Sequence, residues 1–214
     1  MILINWLLFQ DKYNLVMKLS NKFTLVRIIF APVFLLLFFL PRYINNPLFT
    51  QITGWAFLPL MGFAEFTDFL DGYFARKNNE VSDFGKLFDP FADIFLHITI
   101  LAAFTVAGSF NFICLMLIIY REFTMNFLRM VATKKGVAIA ARKGGKFKTC
   151  LYIFTGFVML ICLCAERIGC PFPADILSGI NIAVQVLSWL CVAAAYISFI
   201  DYLKNFGSML KDEM

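Results

Sequence analysis

DFLDGYFARKNNEVSDFGKLFDPFAD, residues 68–93, sets four carboxylates in two pairs, Asp68 with Asp71 and Asp89 with Asp93. Spacings of three and four residues put each pair on one face of its helix, about a turn apart. Two adjacent helix ends can therefore offer four acids to one point. At about 4 Å and an effective dielectric of about 20, two bare carboxylates repel by roughly 4 kcal/mol, so the cluster calls for divalent cations. The stretch reads as a metal site.

The composition says where that site lies. Of 214 residues, 61% are hydrophobic and 15% charged, and the mean hydropathy is +0.78. That is too apolar for a soluble domain and identifies an integral membrane protein. Most of the chain divides into stretches near the roughly 20 residues that cross a bilayer as a helix. An all-α protein with a single membrane domain is expected. The six cysteines, Cys114, Cys150, Cys162, Cys164, Cys170 and Cys191, mostly sit in apolar segments without a ligand-like repeat. They read as small hydrophobes, with Cys170 in an outer loop. The opening MILINWLLF has neither the basic start nor the small-residue cleavage site of a secretory signal peptide.

Residues 1–20 mix apolar side chains with Asp11, Lys12 and Lys18, which suits an interfacial helix, with Met17 as an alternative start. Six crossings are expected within residues 21–204. The first runs from Phe23 to Leu40, closed by Pro41, and the second from Leu48 to Phe74, with Asp68 and Asp71 on its last turns. The third runs from Phe84 to Gly108, with Asp89 and Asp93 on its first turns, and a tight turn at Gly108, Ser109 and Asn111 leads to a fourth that ends near Val131. A basic loop precedes the fifth, Thr149 to Ala165, and the sixth spans Ile176 to Ile200. Residues 205–214 form a tail. With the N-terminus in the cytoplasm, all of the 19 lysines and arginines except Arg42 and Arg167 fall inside. The positive-inside rule thus predicts an even number of crossings in the cell (inner) membrane, both termini cytoplasmic, and all four aspartates at the cytoplasmic face. The net charge of +5 suits anionic lipid and phosphate partners, whereas nucleic acid suits loops this short poorly.

Asp68-x2-Asp71-Gly72-x2-Ala75-Arg76-x8-Gly85-x3-Asp89-x3-Asp93 resembles, position for position, the signature of the CDP-alcohol phosphotransferase family. The resemblance extends to Asn21, Thr24 and Arg27, to Arg121 and Glu122, and to Gly145, Lys146, Lys148 and Thr149, covering roughly Ser20 to Thr149. Those outer residues are similar to the bacterial branch whose acceptor is glycerol 3-phosphate. The resemblance implies a six-helix membrane enzyme, commonly a homodimer, in which an acceptor alcohol displaces CMP from a CDP-linked alcohol. The expected substrates are CDP-diacylglycerol and sn-glycerol 3-phosphate.

The residue types suit that chemistry. Attack on phosphorus flanked by anionic oxygens gains from cations against the pyrophosphate, so two ions, Mg2+ or Mn2+, are expected on Asp68, Asp71 and Asp89. Asp93, also close to them, is the expected general base for the acceptor hydroxyl. Asn21, Thr24, Arg27, Gly72, Ala75, Arg76 and Gly85 form the expected CDP-diacylglycerol subsite. The two glycines there allow close backbone approach, and Arg76 neutralises phosphate. Arg121 and Arg129 lie eight residues apart on one helix face, and Arg142, Lys143, Lys146 and Lys148 approach from the following segment. Arg121, Arg142, Lys146 and Lys148 are read as the pocket for the acceptor phosphate, against the alternative of a solvated positive-inside loop.

Two further ionisable residues lie deeper. Glu65 sits a turn below Asp68 and is a functional candidate because it is charged within the bilayer. His97 lies four after Asp93 on the same face, placed to orient it. The many phenylalanines read as lipid-facing bulk. Competing functions are a sibling enzyme with another acceptor, such as inositol phosphate, serine or a phospholipid, and a divalent-cation transporter. Transport favours acids near the bilayer midplane in paired broken helices, whereas these cluster at one edge beside Arg76.

Overall fold

The computed structural model describes residues 19–77, 83–136 and 143–206. Six helices account for nearly all of them: α1 Leu19–Ile44, α2 Pro47–Lys77, α3 Asp83–Val106, α4 Phe112–Lys134, α5 Lys143–Arg167 and α6 Ala174–Phe206. The described residues contain no strand. The interfacial helix expected over residues 1–20 falls almost wholly outside this range, as does most of the tail.

Among the described residues, four helices are long and apolar enough to cross a membrane, over Phe23–Ile44, Leu87–Val106, Gly144–Arg167 and Ala174–Phe206. The helices α2 and α4 are long as well, but polar residues interrupt their apolar length. The bundle is knit around α3, which packs on α1, α4 and α5, while α6 lies against α4 and α5 and α2 reaches α1 and α5.

Its centre is aromatic. Phe34, Phe38, Phe57 and Phe104 are buried, with ring centroids 5.1 Å apart for Phe34–Phe57 and again for Phe38–Phe104. This corrects the reading of the phenylalanines as lipid-facing bulk. Phe63, Phe66, Phe91 and Phe123 do face outward, but the buried rings fill the space where α1, α2 and α3 meet. Offset and edge-on ring contacts add about 0.5–1.5 kcal/mol per pair beyond area burial.

Helix boundaries follow local chemistry. The α3–α4 turn is a Schellman close: Gly108 adopts φ +82°, Ser109 N donates to Phe104 O at 2.9 Å, and Gly108 N donates to Thr105 O at 3.0 Å. Asn111 then caps α4, its side chain accepting from Ile113 N and Cys114 N. Pro41 does not end the first helix, contrary to expectation; α1 continues to Ile44. A proline at 41 leaves the Leu37 carbonyl without its helical donor. Arg167 supplies one: Nη1 donates to Leu37 O at 3.3 Å and to Thr53 Oγ1 at 2.9 Å, and Nη2 donates to Phe38 O at 2.6 Å. The guanidinium also lies over the Phe57 and Phe38 rings, 5.1 and 5.7 Å from their centroids. The helix α5 likewise begins at Lys143, earlier than the expected Thr149, and its first turn runs close to α6: a Cβ at Gly144 would meet Ser198, and one at Gly145 would meet Tyr202.

Candidate active site

Because successive helices reverse direction, the starts of α1, α3 and α5 gather with the ends of α2, α4 and α6. That end holds the polar residues. Asp68 from α2 and Asp89 and Asp93 from α3 bring one carboxylate oxygen each within 4.8 Å of one another. The side chains are 44%, 42% and 27% exposed. Arg27 of α1 is buried among them, donating from Nη1 to Asp68 at 2.6 Å and to Asp93, and from Nη2 to Asp89. Hard carboxylate oxygens converging from two helices suit a divalent cation, and the guanidinium among them shows that the cluster holds positive charge.

Of the fourth expected ligand, Asp71, only the backbone position on α2 is described. The same holds for Gly72, Ala75 and Arg76 on that helix and for Asn21 on α1. Thr24 is buried on α1 one turn before Arg27, and Gly85 lies on the first turn of α3. Arg142 falls outside the described residues.

The cluster opens into a cavity of about 450 Å³. Asp68, Asp89 and Asp93 form one wall; Arg121, Arg129, Lys146 and Lys148 form the other. Three of the four residues expected to hold an acceptor phosphate therefore share one cavity with the acids. Arg129 joins them, and its buried Nε has no hydrogen-bond partner among the described residues. Thr149 and Tyr202 complete the polar lining.

The basic wall is anchored from behind by Glu122, which is 0% exposed. Its Oε1 accepts from Lys148 Nζ at 2.5 Å and from Tyr152 OH at 3.1 Å, and its Oε2 accepts from Arg121 Nη1 at 2.8 Å. Arg121 also donates to Ala195 O and Ser198 Oγ, tying α4 to α6.

His97 does not orient Asp93. Its Nε2 lies 3.1 Å from Glu65 Oε1, so the two deeper ionisable residues pair with each other across α2 and α3. The reason is depth: Asp93 faces Arg27, while Glu65 lies a turn farther in, where a carboxylate only 20% exposed gains from a partner.

Helical architecture, acidic cluster and facing basic wall define a membrane-embedded enzyme of anionic substrates, and comparison with known proteins gives the family. The profile of the CDP-alcohol phosphatidyltransferase family matches residues 17–199. The chain belongs to that family. Among its relatives is a protein of Treponema pallidum (strain Nichols), 35% identical over 203 residues, covering 91% of this chain and 92% of the relative. A protein of Rickettsia typhi (strain ATCC VR-144 / Wilmington) is 31% identical over 187 residues, 87% of this chain and 96% of its own length. One from Bacillus subtilis (strain 168) is 35% identical over 179 residues, 80% and 91% of the two chains. All three are named CDP-diacylglycerol--glycerol-3-phosphate 3-phosphatidyltransferase.

Proposed function

We propose that the protein transfers the phosphatidyl group of CDP-diacylglycerol to sn-glycerol 3-phosphate, forming phosphatidylglycerophosphate and releasing CMP. The observation that carries the reading is one cavity with three carboxylates on one wall and four basic side chains on the other. The names of the three relatives agree with it.

In this reading Asp68, Asp71, Asp89 and Asp93 hold one or two divalent cations, Mg2+ or Mn2+. Such an ion, when bound, supplies charge neutralisation for the diphosphate. Asn21, Thr24, Arg27, Gly72, Ala75, Arg76 and Gly85 form the CDP-diacylglycerol subsite, with the arginines on its phosphates. Asp93 takes the proton from the acceptor's attacking hydroxyl as its oxygen bonds to the β-phosphorus of the lipid and CMP departs. Arg121, Arg129, Arg142, Lys146 and Lys148 hold the acceptor phosphate; the buried Nε of Arg129, without a partner among the described residues, gives that wall a donor in need of an anion. Glu65 and His97 brace the helices beneath the acids.

The reading includes six crossings. At about 1.5 Å per residue, the 23 residues of α4 extend about 35 Å, enough for a hydrocarbon core of about 30 Å, and α2 is longer. Residues 21–204 form the membrane domain, residues 1–20 an interfacial segment and 205–214 a tail. Both termini and the cavity face the cytoplasm at the inner membrane, and two copies form a homodimer, which cross-linking in native membranes tests. The decisive experiment incubates purified protein with CDP-diacylglycerol, Mg2+ or Mn2+ and a panel of acceptors. Phosphatidylglycerophosphate and stoichiometric CMP from glycerol 3-phosphate are expected; product from another acceptor alone refutes the assignment.

A further inference from the structure

We propose that Glu122 is a positioning residue for the acceptor phosphate: it lies behind the cavity wall and holds Arg121 and Lys148 in place for the anion. The inference rests on the reading of the cavity above and adds to it a residue that does not line the cavity.

The geometry separates what each cation owes to Glu122. Arg121 is fixed three ways, by Glu122, by Ala195 O at 3.0 Å and by Ser198 Oγ at 3.2 Å. Of the five N–H donors of a guanidinium, that leaves two for an anion. Lys148 donates to Glu122 at 2.5 Å and otherwise lies over the Tyr152 ring, 5.1 Å from its centroid. Its ammonium retains two donors, and among the described residues Glu122 is the hydrogen-bond acceptor that fixes its direction.

Arg121 and Lys148 are 3% and 6% exposed, come from different helices and line the same cavity. Two buried cations at one wall repel, and burial of each is costly without an anion. Glu122 is that anion, and both of its oxygens are committed: Oε1 to α5 through Lys148 and Tyr152, Oε2 to its own neighbour on α4. It therefore sets the spacing of the two charges, both of which line the cavity. A glutamine there presents an amide N–H to one of the cations, which must turn away.

The test uses the full chain in detergent, with KM for glycerol 3-phosphate and for CDP-diacylglycerol measured separately and thermal unfolding recorded alongside. Glu122→Gln is expected to raise the glycerol 3-phosphate KM at least about 10-fold while the CDP-diacylglycerol KM stays within about 2-fold. Tyr152→Phe keeps the ring and removes one donor to Glu122; a smaller rise in the same constant is expected, in a protein with the packing of the native one. If Glu122 acts through Lys148, the double variant Glu122→Gln/Lys148→Gln loses little more than Lys148→Gln alone. An unchanged acceptor KM in both single variants, a parallel rise of both constants, or additive losses in the double variant overturns the proposal. The wild-type protein separates this from the functional reading. If it transfers to a different phosphorylated acceptor, the glycerol 3-phosphate assignment fails while Glu122 is judged on that acceptor's KM. If its acceptor carries no phosphate, both fall.

Discussion

Replacing Arg27 with glutamine is expected to make the stability of the protein depend on a divalent cation. The guanidinium is 1% exposed and donates to Asp68, Asp89 and Asp93, whose nearest oxygens lie within 4.8 Å of one another. At that separation two unit charges repel by about 3.5 kcal/mol at a dielectric of about 20 and by about 0.9 kcal/mol at about 80. The acids are 27–44% exposed, which favours the screened end. Three pairs then cost about 3 kcal/mol once Arg27 is gone. At about 2–4 °C per kcal/mol for a chain of this size, Tm in EDTA should fall by about 6–12 °C. A cation present at about 100 times its Kd returns about 2.7 kcal/mol. Thermal unfolding in detergent, with EDTA and then with a Mn2+ series, measures both quantities. Wild type should gain less from Mn2+ than Arg27→Gln, because Arg27 already sits between the acids. Equal Tm values in EDTA, or the same Mn2+-dependent rise in both proteins, refutes the reasoning.

Asp93→Asn should lower transfer by about 100-fold or more with CDP-diacylglycerol binding retained, since it keeps size and removes basicity; lost binding would make Asp93 chiefly a ligand. Arg129→Gln and Lys146→Gln should each raise the glycerol 3-phosphate KM about 10- to 150-fold, the loss of one charge-assisted contact of about 1.5–3 kcal/mol, with the CDP-diacylglycerol KM little changed. Arg167→Met removes three interhelical hydrogen bonds that in membranes average about 0.6 kcal/mol each and reach about 1.7, so Tm should fall by at least about 4 °C at unchanged kcat. His97→Leu strands the Glu65 carboxylate and should destabilise by about 1–3 kcal/mol, whereas His97→Gln, which can still donate to it, should recover much of that in the same unfolding assay.

The sharing of a face by Asp89 and Asp93 was legible because a spacing of four is a property of a single helix, whereas their convergence with Asp68 from α2 belongs to packing. The basic wall was half legible. Eight residues between Arg121 and Arg129 showed a shared helix face, but the pairing of Lys148 with Glu122 joins positions 26 apart in the chain and belongs to packing. Glu122 itself carried a usable signal. The argument that singled out Glu65, an ionisable residue inside an apolar helix, applies equally to Glu122. Two residues are used in ways their sequence context does not show. Pro41 looks like a helix end in isolation and is not one, because Arg167 replaces the lost donor from another helix. Arg167, in turn, counts as an outer positive charge in the topology rule, yet it is turned into the bundle.

The two walls of the cavity share a principle that bears on how they recognise ligands. Each holds one buried charge of the opposite sign: Arg27 among the three acids, Glu122 among the bases. Counting described side chains only, three carboxylates and one guanidinium leave two negative charges on the first wall. Four cations and one carboxylate leave three positive charges on the second. The embedded counter-charge reduces self-repulsion within each wall, so the bundle need not wait for ligands to bring these residues together. What remains still discriminates. A residual charge of minus two matches one divalent cation, and plus three exceeds the charge of a phosphate dianion, which favours acceptors that carry a phosphate over neutral alcohols. An acceptor such as serine offers this wall no dianion, and the four basic side chains would then stand side by side without the charge they are arranged to meet.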